Sequence, residues 1–285
     1  MVKGKQDKKF DAVVIIILIV VVAICVGPLL YVVSVSLTPI AEVLKNGGFV
    51  IIPKKITLVA YKQLFSQKTL PTAMNVTLFI TVLGTTIDMI LTTLMAYPLS
   101  RKKLAGRKIF MYFIIFTMMF SGGMIPTYLL VRSLHLTNTY FSMILPGAIS
   151  TFNLLVMKSF FENLPEELFE SARIDGAKEF YILLRIVVPL SMPVFVTVAL
   201  FCMVGHWNTY ISAILYITKT DMYPLQVVLR NLLLASTNTL NADETVPTQT
   251  FQMASVVFAS IPIIVVYPFI QKYFVSGMML GAVKG

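Results

Sequence analysis

The chain has 285 residues, of which 57% are hydrophobic and only 13% charged, and its mean hydropathy is +0.84. A soluble domain ordinarily carries about 25% charged residues, so this balance excludes a soluble class and points to a membrane. The net charge of +10 is not read as nucleic-acid binding, because the basic residues stand in short clusters beside apolar runs, as membrane orientation requires.

A helical span needs roughly twenty apolar residues to cross about 30 Å of hydrocarbon. Six segments qualify in chain order: residues 12–35, 74–99, 109–131, 140–157, 190–215 and 251–270. The expected fold is therefore all-α, a polytopic integral membrane protein with six transmembrane helices. The first run is long enough to span and lacks a small-residue cleavage site after it, so it is expected to stay as a span rather than leave as a signal peptide. The organisation expected is an N-terminal tail over 1–11, a six-helix transmembrane body over 12–273 and a C-terminal tail over 274–285. Gly27-Pro28, Gly122-Gly123 with Pro126, Pro146-Gly147 and Pro262 are expected to interrupt spans, since such breaks are tolerated where membrane helices bend around a path. Cys25 and Cys202 lie in apolar runs and read as small packing residues rather than a disulfide or metal pair.

Orientation follows from lysine and arginine. With the N-terminus inside, 15 of the 23 fall on the cytoplasmic side, the densest group being Arg101, Lys102, Lys103, Arg107 and Lys108, and 8 on the other. Both termini are expected in the cytoplasm. So is the segment 158–189, a charged island in an apolar chain. The long outside segments, 36–73 and 216–250, mix polar and apolar residues, and the second has a polar tip at Ser236–Asn241.

Within the island, Asn163, Pro165 and Glu166 read as a helix start with a capping box. The helix continues over 166–175, with Leu168 and Ala172 on one face and Phe169 adjacent. Gly176 turns the chain, and a second helix is expected over 177–187, ending before Pro189. The small residues Ser171, Ala172, Gly176 and Ala177 would let a partner approach the backbone closely. On pattern alone this helical pair is open to two readings, a docking element or an amphipathic connector on the lipid headgroups.

The spacing of Glu170-Ser171-Ala172, Gly176, Ile186 and Val188-Pro189 resembles the Glu-Ala-Ala motif of ABC-importer permeases, with Ser171 for alanine and Val188 for leucine. Asp175-Gly176-Ala177 is similar to the carbohydrate-uptake branch, the maltose-type second permease subunit. So are Asn75 to Thr77, Ala96 to Arg101, Trp207-Asn208 and Tyr223 to Leu225. The ending Gly281 to Gly285 resembles Lpl-type oligosaccharide permeases. The resemblance implies that the island holds a cytoplasmic coupling helix, with Glu170, Ser171, Ala172, Asp175, Gly176 and Ala177 docking an ATPase. It further implies a heterodimer with a sister permease, two ATPase subunits and an extracytoplasmic solute-binding protein, with transport by alternating access. The sequence contains no Gly-x-x-x-x-Gly-Lys-Ser/Thr phosphate loop. ATP and Mg are therefore expected to serve the partner ATPases; this chain is expected to bind no cofactor or metal and not to be an enzyme.

Candidate pathway residues are fewer. Asp88 is the only acid within an expected span, and a mid-membrane charge costs about 2.5–3.5 kcal/mol. It is read either as lining a hydrated path or as a buried structural partner. His206, Trp207 and Asn208 are consecutive. An aromatic face and an amide suit a sugar's C–H faces and hydroxyls, yet tryptophan also anchors span ends. His206 itself reads as a packed or hydrogen-bonded histidine. A permease for a non-sugar solute, or an ion-coupled transporter using Asp88, remain the alternatives. No residue constellation supports an intramembrane enzyme.

Overall fold

A computed structural model describes residues 5–235 and 248–282; Ser236–Asn241 lies outside them. Every regular element among the described residues is helical. Helix α1 (Lys5–Ser36) is followed by the short α2 (Ile40–Lys45) and α3 (Val59–Ser66), then α4 (Thr69–Ser100), α5 (Arg107–Met119) and α6 (Met124–Ser133). Next come α7 (Phe141–Ile144), α8 (Thr151–Glu162), α9 (Glu167–Ile174), α10 (Glu179–Ile182), α11 (Val188–Leu190) and α12 (Met192–Trp207). The chain finishes with α13 (Ile211–Tyr216), α14 (Leu225–Ala235) and α15 (Gln249–Ala282).

Three described helices, α1 from Val13, α4 and α15, are long and apolar enough to cross a membrane unbroken. Three bent pairs bring the number to six if each is one span: α5 with α6 at 113°, Phe141–Gly147 with α8 at 55°, and Glu179–Leu190 with α12 at 86°. The breaks fall partly where glycine and proline predict them. Gly123 has φ +87°, which a right-handed helix cannot contain, so α5 and α6 part there. At Pro146-Gly147 a 3-10 turn runs on to extended Ser150, whose hydroxyl accepts from the Asn153 N–H and starts α8. By contrast α1 continues through Gly27-Pro28, and α15 through Pro262 and Pro268. A proline forfeits one backbone bond but does not reverse φ, and a membrane helix tolerates that loss.

The third bend, at Ser191, was not expected. The helix after Gly176 runs past its predicted end, through a π turn at Leu183–Val187 and across Pro189 to Leu190. Pro189 has no N–H for the carbonyl four residues back, and the wider turn just ahead of it is the local adjustment.

The described residues form two compact units. One, up to residue 71 together with 228–261, has a small core of Val35, Val43 and Val50. Tyr31 stacks on Phe49 at 5.4 Å and donates to the Gly48 carbonyl at 2.9 Å, and the Gln249 amide donates to the Tyr31 hydroxyl. Most of α1 is exposed, as lipid or protein neighbours in a membrane require. The other unit, 72–227 with 262–285, is organised around Leu154, Met157 and Phe161 of α8, Val194 and Val198 of α12, Ala96 and Leu99 at the end of α4, and Phe169 and Ala172 of α9. The charged island is therefore packed into a hydrophobic core on one side.

Candidate functional site

Two places in the second unit carry chemistry: the loop around α9 and a cavity beside Asp88. In the loop, Asn163 closes α8, its side-chain amide donating to the Ser159 carbonyl at 2.9 Å. It cannot also cap the next helix, so the expected capping box is absent. The N-cap position of α9 is Glu166, without a side-chain cap bond. Glu167 and Glu170 in the first turn and Arg173 in the last instead match the helix dipole.

The far end of α9 is closed by a Schellman arrangement. The Ala177 N–H donates to the Ala172 carbonyl at 2.9 Å and the Gly176 N–H to the Arg173 carbonyl at 3.0 Å, with Gly176 at φ +79°. This gives the glycine four residues after Ala172 a physical reason: it supplies the left-handed turn. The inward face is Phe169 and Ala172, three apart, while Leu168, four before Ala172, is exposed. A three-residue step places Phe169 and Ala172 in the core that α8 and α12 also fill, and Leu168 falls to one side.

Of the predicted docking residues, Glu170, Ser171, Asp175 and Gly176 are exposed, Ala177 is half-buried and Ala172 is buried. A Cβ on Gly176 would meet nothing within 4 Å. A shallow depression of about 520 Å³ is lined by Ala172, Asp175, Gly176, Ala177, Lys178 and Tyr181. Sequence reasoning missed Ile174, 85% exposed on α9, and the exposed Phe180 and Tyr181 beside it. A bulky apolar side chain left open on a short charged helix is the signal that would have found them.

A second omission is the cluster joining this loop to the end of α4. The Arg101 guanidinium lies 3.5 Å above the Phe169 ring and 4.8 Å from the Tyr97 ring. Tyr97 donates from its hydroxyl to Glu179 Oε2 at 2.5 Å, and Arg173 pairs with Glu179 Oε1 at 2.9 Å. The Tyr97 hydrogen bond, outweighing partial burial and aided by Arg173 and Arg101, holds the Glu179 carboxyl below the usual range. Burial lowers the Arg101 pKa, and its Nε and one terminal nitrogen have no hydrogen-bond partner among the described residues. Nearby, Arg107 and Lys158 both pair with Glu162, fastening the start of α5 to α8.

The cavity has a volume of about 850 Å³ and is lined by Asp88, Ser150, Asn153, Asn208 and Thr209, with aromatic side chains between them. Asp88, 6% exposed, receives His206 Nε2 at 2.8 Å on Oδ2, while its buried Oδ1 has no hydrogen-bond partner among the described residues. Gly84 makes room for this pair, since a Cβ there would stand 2.5 Å from His206 Nε2. Asp88 is thus a structural partner of His206 and at the same time one of the residues lining the cavity. Asn208, which ends α12, also lines it. Trp207 does not; it is 6% exposed and packed inside. Among the described residues no lysine or arginine lines the cavity, and no three acids, cysteines or histidines are grouped to hold a metal.

The family described as "Binding-protein-dependent transport system inner membrane component" matches residues 88–280. The chain belongs to that family. Over 98% of its length this permease is 43% identical to the whole of the polygalacturonan/rhamnogalacturonan transport system permease protein YtcP of Bacillus subtilis, and over 99% it is 46% identical to 97% of protein LplC of the same organism. Its fold is similar to a chain of the crystal structure of a bacterial ABC transporter involved in the import of the acidic polysaccharide alginate. The TM-score is 0.89 and the identity 31%, covering 96% of the permease and 99% of that chain. The permease is an integral membrane transport component and not an enzyme, and the ion-coupled and enzymatic alternatives fall away.

Proposed function

We propose that the permease is one half of the membrane channel of an oligosaccharide importer, paired with a sister permease and moved by two ATPase subunits that use ATP and Mg. The observation that carries the cargo is the likeness, over nearly the full length of both chains, to a permease named for polygalacturonan and rhamnogalacturonan. The cavity suits such a cargo: amides, hydroxyls and aromatic faces are the groups that recognise sugar rings. Asp88 and Asn208, which line the cavity, are the proposed hydroxyl contacts, and Trp207 is withdrawn from that role because it does not line it. Both termini are assigned to the cytoplasm on the distribution of lysine and arginine. That puts α9 on the ATPase side, where its exposed Glu170, Ser171, Asp175 and Gly176 dock the partner with Ile174 among them. An extracytoplasmic binding protein delivers the sugar from the opposite side.

The test is uptake of labelled oligogalacturonides and rhamnogalacturonan fragments by the native host with and without the gene. Loss of uptake on deletion, restored by the gene in trans, is expected. Uptake unchanged by deletion, with loss of a non-sugar nutrient instead, overturns the cargo.

A further inference from the structure

The Asp88–His206 bond joins two helices, and both helices are also tied to the loop around α9. α12 continues from that loop through the 86° corner at Ser191. α4 has no such covalent route. Its tie is Arg101, one residue beyond its end, lying on the Phe169 ring, with Tyr97 bonded to Glu179. Arg101 and Asp88 are 13 positions apart and Met192 and His206 are 14, so each strut is about 20 Å long at 1.5 Å per residue. α4 and α12 therefore form a frame closed at both ends, with the cavity beside one end and the loop at the other.

We propose that Arg101 is a positioning residue for transport: its stack on Phe169 makes α4 follow α9, so that ATPase-driven movement of the loop displaces both struts together. Without it, a push on α9 would reach α4 only through the Tyr97–Glu179 bond and core packing, while α12 would still be driven through the chain, across a corner bounded by a π turn and two prolines. The residue type fits this task. A planar guanidinium lies flat on an aromatic face where an ammonium cannot, and two of its buried nitrogens forgo hydrogen bonds in doing so. Tyr97 and Glu179 keep the ring and the loop in register, since Glu179 is held at once by Tyr97 and by Arg173 of α9.

The proposal rests on ATPase docking at α9, whose own failure would appear separately, as normal import by Gly176→Trp. The experiment uses the whole transporter in proteoliposomes with its binding protein, and reads sugar imported per ATP hydrolysed. Arg101→Leu, which keeps apolar bulk between the rings, is expected to retain the ATPase on co-purification. It should continue hydrolysis while importing about tenfold less per ATP, a size typical of coupling between sites. Arg101→Lys should not rescue the ratio. Tyr97→Phe, the gentler variant, should lower it in the same sense. Leu154→Ala, in the same core but outside this cluster, serves as the control: it should reduce thermal stability and leave the ratio unchanged. An unchanged ratio in Arg101→Leu and Tyr97→Phe, or an equal fall in Leu154→Ala, overturns the proposal.

Discussion

Replacing Gly176 isolates the turn that ends α9. Its φ of +79° is one that residues with a Cβ reach at a cost of about 1–2 kcal/mol. A Cβ there would meet no atom within 4 Å, so Gly176→Ala adds no clash and the backbone term stands alone. Such a cost opens the Ala177-to-Ala172 and Gly176-to-Arg173 bonds about 5–30 times more often, because 1.4 kcal/mol is tenfold. Amide hydrogen exchange reads this directly: the Ala177 N–H should exchange faster by that factor in Gly176→Ala. In Gly176→Asn the increase should be smaller, since asparagine tolerates the left-handed region better. Gly176→Trp carries the same backbone cost and also projects an indole from the exposed surface into the partner's space. Its membrane-inserted form should lose ATPase co-purification and uptake. Equal Ala177 exchange in the glycine and alanine forms would refute the backbone reasoning, and normal ATP-dependent uptake by Gly176→Trp would refute docking.

Three further outcomes are expected. Gly84→Ala should push His206 from its place and destabilise the purified permease by about 1–3 kcal/mol, as overpacking does; His206→Ala in the same chain should relieve it, and absence of relief in thermal melts would disprove the close contact. Asp88→Leu leaves His206 Nε2 buried without its acceptor, an expected loss of about 1–3 kcal/mol. It should also weaken substrate-stimulated transport, and kinetics identical to the parent in an assembled complex would remove Asp88 from the pathway. Ile174→Asp, at an exposed position, should leave the melting temperature unchanged and weaken ATPase binding about tenfold or more; unaltered binding would take Ile174 out of the docking surface.

The membrane class and the helical island were legible in the chain because they rest on long apolar runs and on local chemistry, a turn and a charge step. Gly123 and Gly176 were readable for the same reason: each turn is decided by one residue's allowed φ. What escaped depends on distant partners. Asn163 has the right type for an N-cap, and only the preceding helix decides that it serves as a C-cap. Leu168 and Phe169 are both apolar, and which one turns inward is set by α8 and α12. The 86° corner at Ser191 has prolines on both sides, yet α15 crosses two prolines without a break, so composition alone does not separate them. In the cavity, Asp88 and His206 were each singled out, but they stand 118 positions apart in the chain and nothing local pairs them.

α9 divides its labour by face. Phe169 and Ala172 anchor it to the rest of the permease, while Glu170, Ser171, Ile174 and Asp175 look away. On the docking proposed above, anchoring and partner choice are thus written in different letters of α9 and its C-cap. The outward letters can drift, or be exchanged for those of a foreign transporter, without disturbing how the helix is seated. On the same proposal, refitting the permease to a different ATPase calls for changes at those outward positions only, the seat of the helix being left as it is.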